Sequence, residues 1–170
     1  LIPTPINDAI TVNYHNFASN TESDLIAITY PDKGDYHCDI EELSLTDARG
    51  RMIPVRNTRG SYNLKKIMDA LCERDFHELE IHIVQCKTNW NDNAQIPMLW
   101  DAVYAAKNFR NGVSVGQNNF TVSDVAHFTY SFVTVPTNRL DGFTPNSTCV
   151  KRVMNLTGGN YWGHATQNDV

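Results

Sequence analysis

The sequence predicts an α/β (α+β) protein, a mixed β-sheet flanked by helices. Stretches rich in Ile, Val, Tyr and Phe near both ends read as strands, and two amphipathic helical patterns separate them from a central apolar run. That order (strands, helix, strand, helix, strands) is the order of a mixed sheet. With 170 residues and ordinary hydrophobic content, the chain forms a single domain over residues 1–170 with a proper core.

Residues 24–30, Asp-Leu-Ile-Ala-Ile-Thr-Tyr, read as a strand ended by the turn Pro31-Asp32-Lys33-Gly34-Asp35. A second strand is expected over 36–45. A turn at Asp47-Ala48-Arg49-Gly50 and a short strand through Val55 follow. From Ser61, a plausible N-cap, Leu64, Ile67, Met68 and Leu71 mark one helical face. The next strand ends in Leu79-Glu80-Ile81-His82-Ile83-Val84-Gln85-Cys86-Lys87. Both of its faces are mostly apolar, which suits a central strand covered on both sides. A second helix is expected over 95–109, with Ile96, Leu99, Trp100, Val103 and Tyr104 inward and Gly112 closing it. Phe128, Tyr130 and Phe132 then alternate along a late strand, and 149–156 is a further strand candidate.

The formal charge of −5 argues against a protein that coats nucleic acid nonspecifically, while leaving room for a local basic groove. No apolar run approaches membrane-spanning length, so no membrane partner is expected. The chain opens on Leu1, and a truncated N-terminus belongs to this expectation. Cys38, Cys72, Cys86 and Cys149 form no CxxC pair. Two of them are expected as buried free thiols in strand-like contexts, which favours a reducing, cytoplasmic location over a zinc site or disulfides. Sequons at Asn119, Asn146 and Asn155 are no more than chance gives in a chain rich in Asn, Ser and Thr.

Chemistry concentrates at the end of the central strand. A lysine there is costly unless it reaches a polar pocket or an anion. An acid and a backbone carbonyl beside it would hold Mg²⁺, a hard cation that prefers oxygen, and the lysine would serve an attacking water or the charge on a phosphate. Gln85 offers a neutral oxygen, so a true carboxylate must come from another strand.

Gln85-Cys86-Lys87, after an apolar strand and before a polar loop and a helix, resembles the (E/Q)xK half-motif of the PD-(D/E)XK nuclease superfamily, which includes many restriction endonucleases. Ser23-Asp24-Leu25-Ile26-Ala27-Ile28 resembles the superfamily's acid-bearing strand start, and Lys87-Thr88-Asn89-Trp90-Asn91-Asp92 is similar to the loop after the motif lysine in some restriction enzymes. The resemblance spans about half the chain. It implies a restriction-endonuclease-like fold and a Mg²⁺-dependent DNA endonuclease, with Mn²⁺ as a substitute. It implies catalytic roles for Asp24, Gln85 and Lys87, with the metal on Asp24, Gln85 and the Cys86 carbonyl. It also implies DNA as partner, with a homodimer to cut both strands.

Asp39, in Cys38-Asp39-Ile40-Glu41, is an alternative acid, since the interval from Asp24 to Gln85 needs an inserted hairpin and helix. Gln95 is similar to a glutamine that some relatives carry. No helix with a suitable glutamate precedes Asp24, and Gln in place of Glu leaves open a noncatalytic nucleic-acid- or protein-binding domain of the same fold. The Asn/Thr content keeps a β-rich viral or surface domain as a third class.

Arg49, Arg51, Arg56 and Arg59 form the one basic cluster, able either to grip phosphate or to sit solvated on a hairpin. Trp90 and Asn91 join Arg49 and Arg51 as nucleic-acid-binding candidates, although lidding the core is the safer reading of Trp90. His82 is expected as a satisfied core histidine and His37 as no ligand. The Gly158-Gly159 run reads as a turn, because no strand and helix frame it.

Overall fold

The computed structural model describes residues 1–20, 23–47, 49–88, 100, 103, 104, 112–135, 144, 146 and 151, with 14, 20, 87, 88, 132, 134 and 135 by backbone alone. It is an α+β structure with two helices and two three-stranded sheets among these residues. None of its helices, among the described residues, is long and apolar enough to cross a membrane.

The chain starts with a helix the sequence reading did not anticipate, α1 (Thr4–Ile10). Its signals are present: proline in the first turn, which tolerates a missing N–H, and Ile6, Ala9 and Ile10 at helical spacing. The free Thr4 amide is capped from a distance, donating to Asp69 Oδ1 at 2.7 Å. Thr11 turns extended and starts β1 (Thr11–Tyr14), which pairs with β2 (Phe17–Asn20).

After β3 (Leu25–Thr29) the expected strand over 36–45 does not form. Two 3-10 turns, Gly34–Tyr36 and Ile40–Glu42, take its place. Asp39 caps the second by accepting the Glu41 N–H at 3.0 Å, a local bond that competes with extended pairing. Tyr36, Ile40 and Leu43 then recur every third or fourth residue and pack around Leu45 and Ile67. The short strand through Val55 is likewise absent; isolated bridges Thr46↔Met52 and Arg56↔Tyr62 stand there.

Helix α2 (Leu64–Arg74) starts after Asn63, not at Ser61, whose amide donates to Asn57 Oδ1. Ile67, Ala70 and Leu71 face the cluster around Leu45, and Cys72 enters the main core. Leu64, expected on the buried face, is exposed.

The site is built on β4 (Glu80–Thr88), the middle strand of the order β3-β4-β6, antiparallel to β3 and parallel to β6 (His127–Val135). The short β5 (Val113–Val115) pairs with β1 in the other sheet. Ile81, Ile83 and Gln85 are fully buried on one face of β4. The opposite face is not sealed as expected. Glu80, His82 and Val84 are only partly covered and Cys86 is exposed, in keeping with polar groups that retain water on that side. Of the described thiols, all three free, Cys72 is buried but lies in a helix, whereas Cys38 and Cys86 are exposed; Cys149 lies outside the described residues.

Trp100, Val103 and Tyr104 are helical, and Val103 and Tyr104 are buried in the core. The rest of the expected 95–109 helix lies outside the described residues. So does the 149–156 strand apart from Lys151, which is helical.

Candidate functional site

Sheet register assembles the strand end. Leu25 pairs with Val84, so one further step sets Asp24 opposite Gln85. The Asp24 carboxylate reaches across, and its Oδ2 accepts the Cys86 N–H at 2.6 Å. In an antiparallel ladder a residue turns its N–H and C=O toward the same neighbour. The Cys86 carbonyl therefore faces the Asp24 side, where β3 has ended. Both residues are exposed, so the corner they share is open to solvent.

Gln85 points the other way, into the core, and is 0% exposed. Its Oε1 accepts the Tyr130 hydroxyl at 2.5 Å. Tyr130 lies on β6 opposite Ile83, one diagonal step from Gln85. The Tyr104 ring packs 5.7 Å from that of Tyr130, and the Tyr104 hydroxyl is anchored on the Ile10 carbonyl at 2.7 Å. The Gln85 Nε2 is buried with no hydrogen-bond partner among the described residues. Such an orphan donor forfeits about 1–3 kcal/mol of desolvation, so its persistence needs a reason.

Lys87 continues the same strand, its backbone paired with that of Thr134. Its side chain lies outside the described atoms, and Trp90, Asn91 and Gln95 lie outside the described residues. Asp39 is spent on its 3-10 turn, in a segment that packs on α2. The structure thus joins Asp24, not Asp39, to the motif strand by a hydrogen bond. His82 is satisfied, as expected, by Thr129 Oγ1 at 2.7 Å, although it is only half-buried. His37 pairs with Asp32 at 2.7 Å. No group of three or more His, Cys, Asp or Glu side chains among the described residues can hold a metal.

The basic cluster divides. Arg51 Nε donates to Asp47 Oδ2 at 2.8 Å. Arg56 donates to Glu41 and stacks 4.1 Å above the Tyr62 ring. Arg49 and Arg59 are exposed, and neither side chain has a hydrogen-bond or ion-pair partner among the described residues.

The sequence reading missed Tyr130 as the partner of Gln85. The alternation of Phe128, Tyr130 and Phe132 marks a strand, but only the β4–β6 register shows which tyrosine meets the glutamine. It also missed Asp75, buried at the end of α2 and bound by Arg74, Lys33 and Tyr36. The Arg74 guanidinium, ahead of the Lys33 and Tyr36 bonds, holds that carboxyl well below the usual carboxylate range.

Comparison with protein-family models, with curated proteins and with solved structures finds no match for this chain.

Proposed function

We propose that this chain is a Mg²⁺-dependent endonuclease that hydrolyses DNA phosphodiester bonds. The observation that carries the reading is the Asp24 carboxylate bonded to the Cys86 N–H, which sets an acid from an antiparallel neighbour against the Gln85-Cys86-Lys87 strand end. Support also comes from the order of elements, with helical residues between the motif strand and its parallel neighbour β6.

The donor set suits a hard cation. The Asp24 carboxylate and the Cys86 carbonyl are oxygen ligands that Mg²⁺ accepts, leaving further positions for water. Gln85 is buried with Oε1 on the Tyr130 hydroxyl, so its share in the ligand set would require its amide to turn from the core toward the Asp24 and Cys86 corner. Tyr130 can serve either orientation, because a phenol both donates and accepts. When bound, Mg²⁺ would supply positive charge against the phosphate as negative charge develops there. Asp24 fixes the side of the strand on which the scissile phosphate docks. Lys87 supplies a positive charge that favours deprotonation of the attacking water. Two copies would be needed to cut both strands of a duplex.

Cleavage of duplex DNA with Mg²⁺ or Mn²⁺ tests this. Asp24→Asn and Lys87→Ala are each expected to lower the rate by about 100-fold or more, while Asp39→Asn stays near wild type. An Asp24→Asn protein that cuts like the wild type sinks the assignment.

The bond from Tyr130 to Gln85 favours one second reading, a noncatalytic domain of the same fold that binds nucleic acid or a protein partner, because the oxygen a cation would need is already taken. A folded wild type that binds DNA and never cuts it selects that reading.

A further inference from the structure

Two turns in the segment between β3 and α2 repeat each other bond for bond. In the first, Asp47 Oδ1 accepts the N–H groups of Arg49 and Arg51 at 2.9 and 3.0 Å. In the second, Asn57 Oδ1 accepts those of Arg59 and Ser61 at 2.9 and 3.1 Å. The Gly50 N–H donates to the Asp47 carbonyl at 2.8 Å and the Gly60 N–H to the Asn57 carbonyl at 3.0 Å. Gly50 and Gly60 have φ of +74° and +83°, and a Cβ on either would meet nothing within 4 Å. Backbone conformation, not space, therefore requires glycine in both. The bridges Thr46↔Met52 and Arg56↔Tyr62 close the two loops at equivalent positions. Below them the Ile53 N–H donates to the Leu45 carbonyl and the Asn63 N–H to the Val55 carbonyl, both at 2.8 Å.

The bases of both loops are anchored, since Leu45, Ile53 and Val55 pack with Ile67 and Leu71 of α2. The tips are not. Arg49 and Arg59 hold the same place in the two turns, directly before the glycine, and both are exposed. The other two arginines are consumed internally, Arg51 by Asp47 and Arg56 by Glu41 and Tyr62. Residues 45–62 carry four arginines against one aspartate in a chain of net charge −5.

We propose that the tandem turns at 47–51 and 57–61 form a two-pronged grip on a nucleic-acid backbone, with Arg49 and Arg59 each contacting a phosphate of duplex DNA. The choice of DNA rests on the nuclease reading. The chemistry rests on the turns: a guanidinium offers a planar fork of donors that matches phosphate oxygens. A twice-repeated rigid mount suits a ligand whose charge itself repeats along a strand. Such contacts fix position without reading sequence.

The test is anisotropy of a labelled DNA duplex with the full chain in EDTA, across a salt series. The proteins are wild type, the double variant Arg49→Gln/Arg59→Gln, and Arg51→Gln. The double variant keeps both capping side chains and is expected to melt like the wild type. Its slope of log affinity against log salt flattens by about 0.9 for each lost contact, with affinity lower on the order of tenfold at low salt. Arg51→Gln keeps the wild-type slope. An unchanged slope in the double variant, an equal loss in Arg51→Gln, or a wild type that does not bind the duplex overturns the grip. A wild type that binds with the expected slope but does not cut with Mn²⁺ upholds the grip and removes the nuclease. One that cuts, while the double variant binds unchanged, removes the grip and keeps the nuclease.

Discussion

Asp75 and Gln85 are both buried polar side chains close to the main core, yet the chain treats them in opposite ways. Asp75 is 4% exposed and saturated: Arg74 forks onto it, Lys33 donates at 2.8 Å and Tyr36 at 2.7 Å. Those partners come from the end of α2, from Lys33 just before the first 3-10 turn and from Tyr36 at its end, so the cluster ties distant segments together. Gln85 has one bond, from Tyr130, and a buried Nε2 with none among the described residues. A saturated network rigidifies a fold, whereas a partly satisfied one costs stability and persists where something else benefits. The incomplete group sits beside Asp24 and Cys86, and the complete one precedes the opposite end of the same strand, capping the 76–78 turn that leads into Glu80.

Asp75→Asn gives the largest expected loss of stability, about 2 kcal/mol, because it removes the buried carboxylate that accepts from Tyr36 and from the part-exposed Arg74 and Lys33; urea melts measure it. The same cluster sets the acid response. The Asp75 carboxyl is held below its unfolded value, so its contribution is fully present above about pH 4 and drains away as pH falls through the folded value. Asp75→Asn is expected to flatten that acid limb of the melting profile. A variant whose acid limb matches the wild type would remove Asp75 from the account.

Tyr130→Phe is a smaller step, about 1 kcal/mol, since it strips the single donor from the Gln85 oxygen. Adding Gln85→Met to it is expected to restore most of that loss, because both unsatisfied amide groups leave together. A double variant less stable than Tyr130→Phe alone would show that the Gln85 amide is better satisfied than its surroundings indicate. Asp24→Asn is expected to change stability least, by under about 1 kcal/mol, because its one bond is exposed. Chemical denaturation of all four variants side by side orders them.

The central strand was the most legible part of the sequence, since its mostly apolar run ends at Gln85 and Lys87, although the expected cover on both faces holds only for the face of Ile81 and Ile83. Its sheet partners were legible too. Alternation of Phe128 and Tyr130 gave β6, and the run from Leu25 to Thr29 gave β3. The 36–45 stretch misled because Tyr36, Ile40 and Leu43 are common strand residues, while their spacing and the Asp39 cap obey a helical period. Helix α1 is short, and only Ile6, Ala9 and Ile10 behind Pro5 mark its apolar spacing. Within the candidate site, Asp24 was readable as an acid before an apolar strand. Its bond to the Cys86 amide depends on a register no local pattern encodes, as does the meeting of Tyr130 with Gln85. The repeat of Asp47-x-Arg-Gly in Asn57-x-Arg-Gly was present in the letters, but its two halves became equivalent only through their hydrogen bonds.

The most direct measurement is a Mn²⁺ titration followed by electron paramagnetic resonance on the full chain without DNA, comparing wild type, Asp24→Asn and Asp75→Asn under conditions where all three are folded. The expected result is Mn²⁺ binding by the wild type and by Asp75→Asn, with at least about a tenfold loss in Asp24→Asn. Equal Mn²⁺ affinity in Asp24→Asn and wild type, or no binding by any of the three, would contradict a cation site at the end of β4.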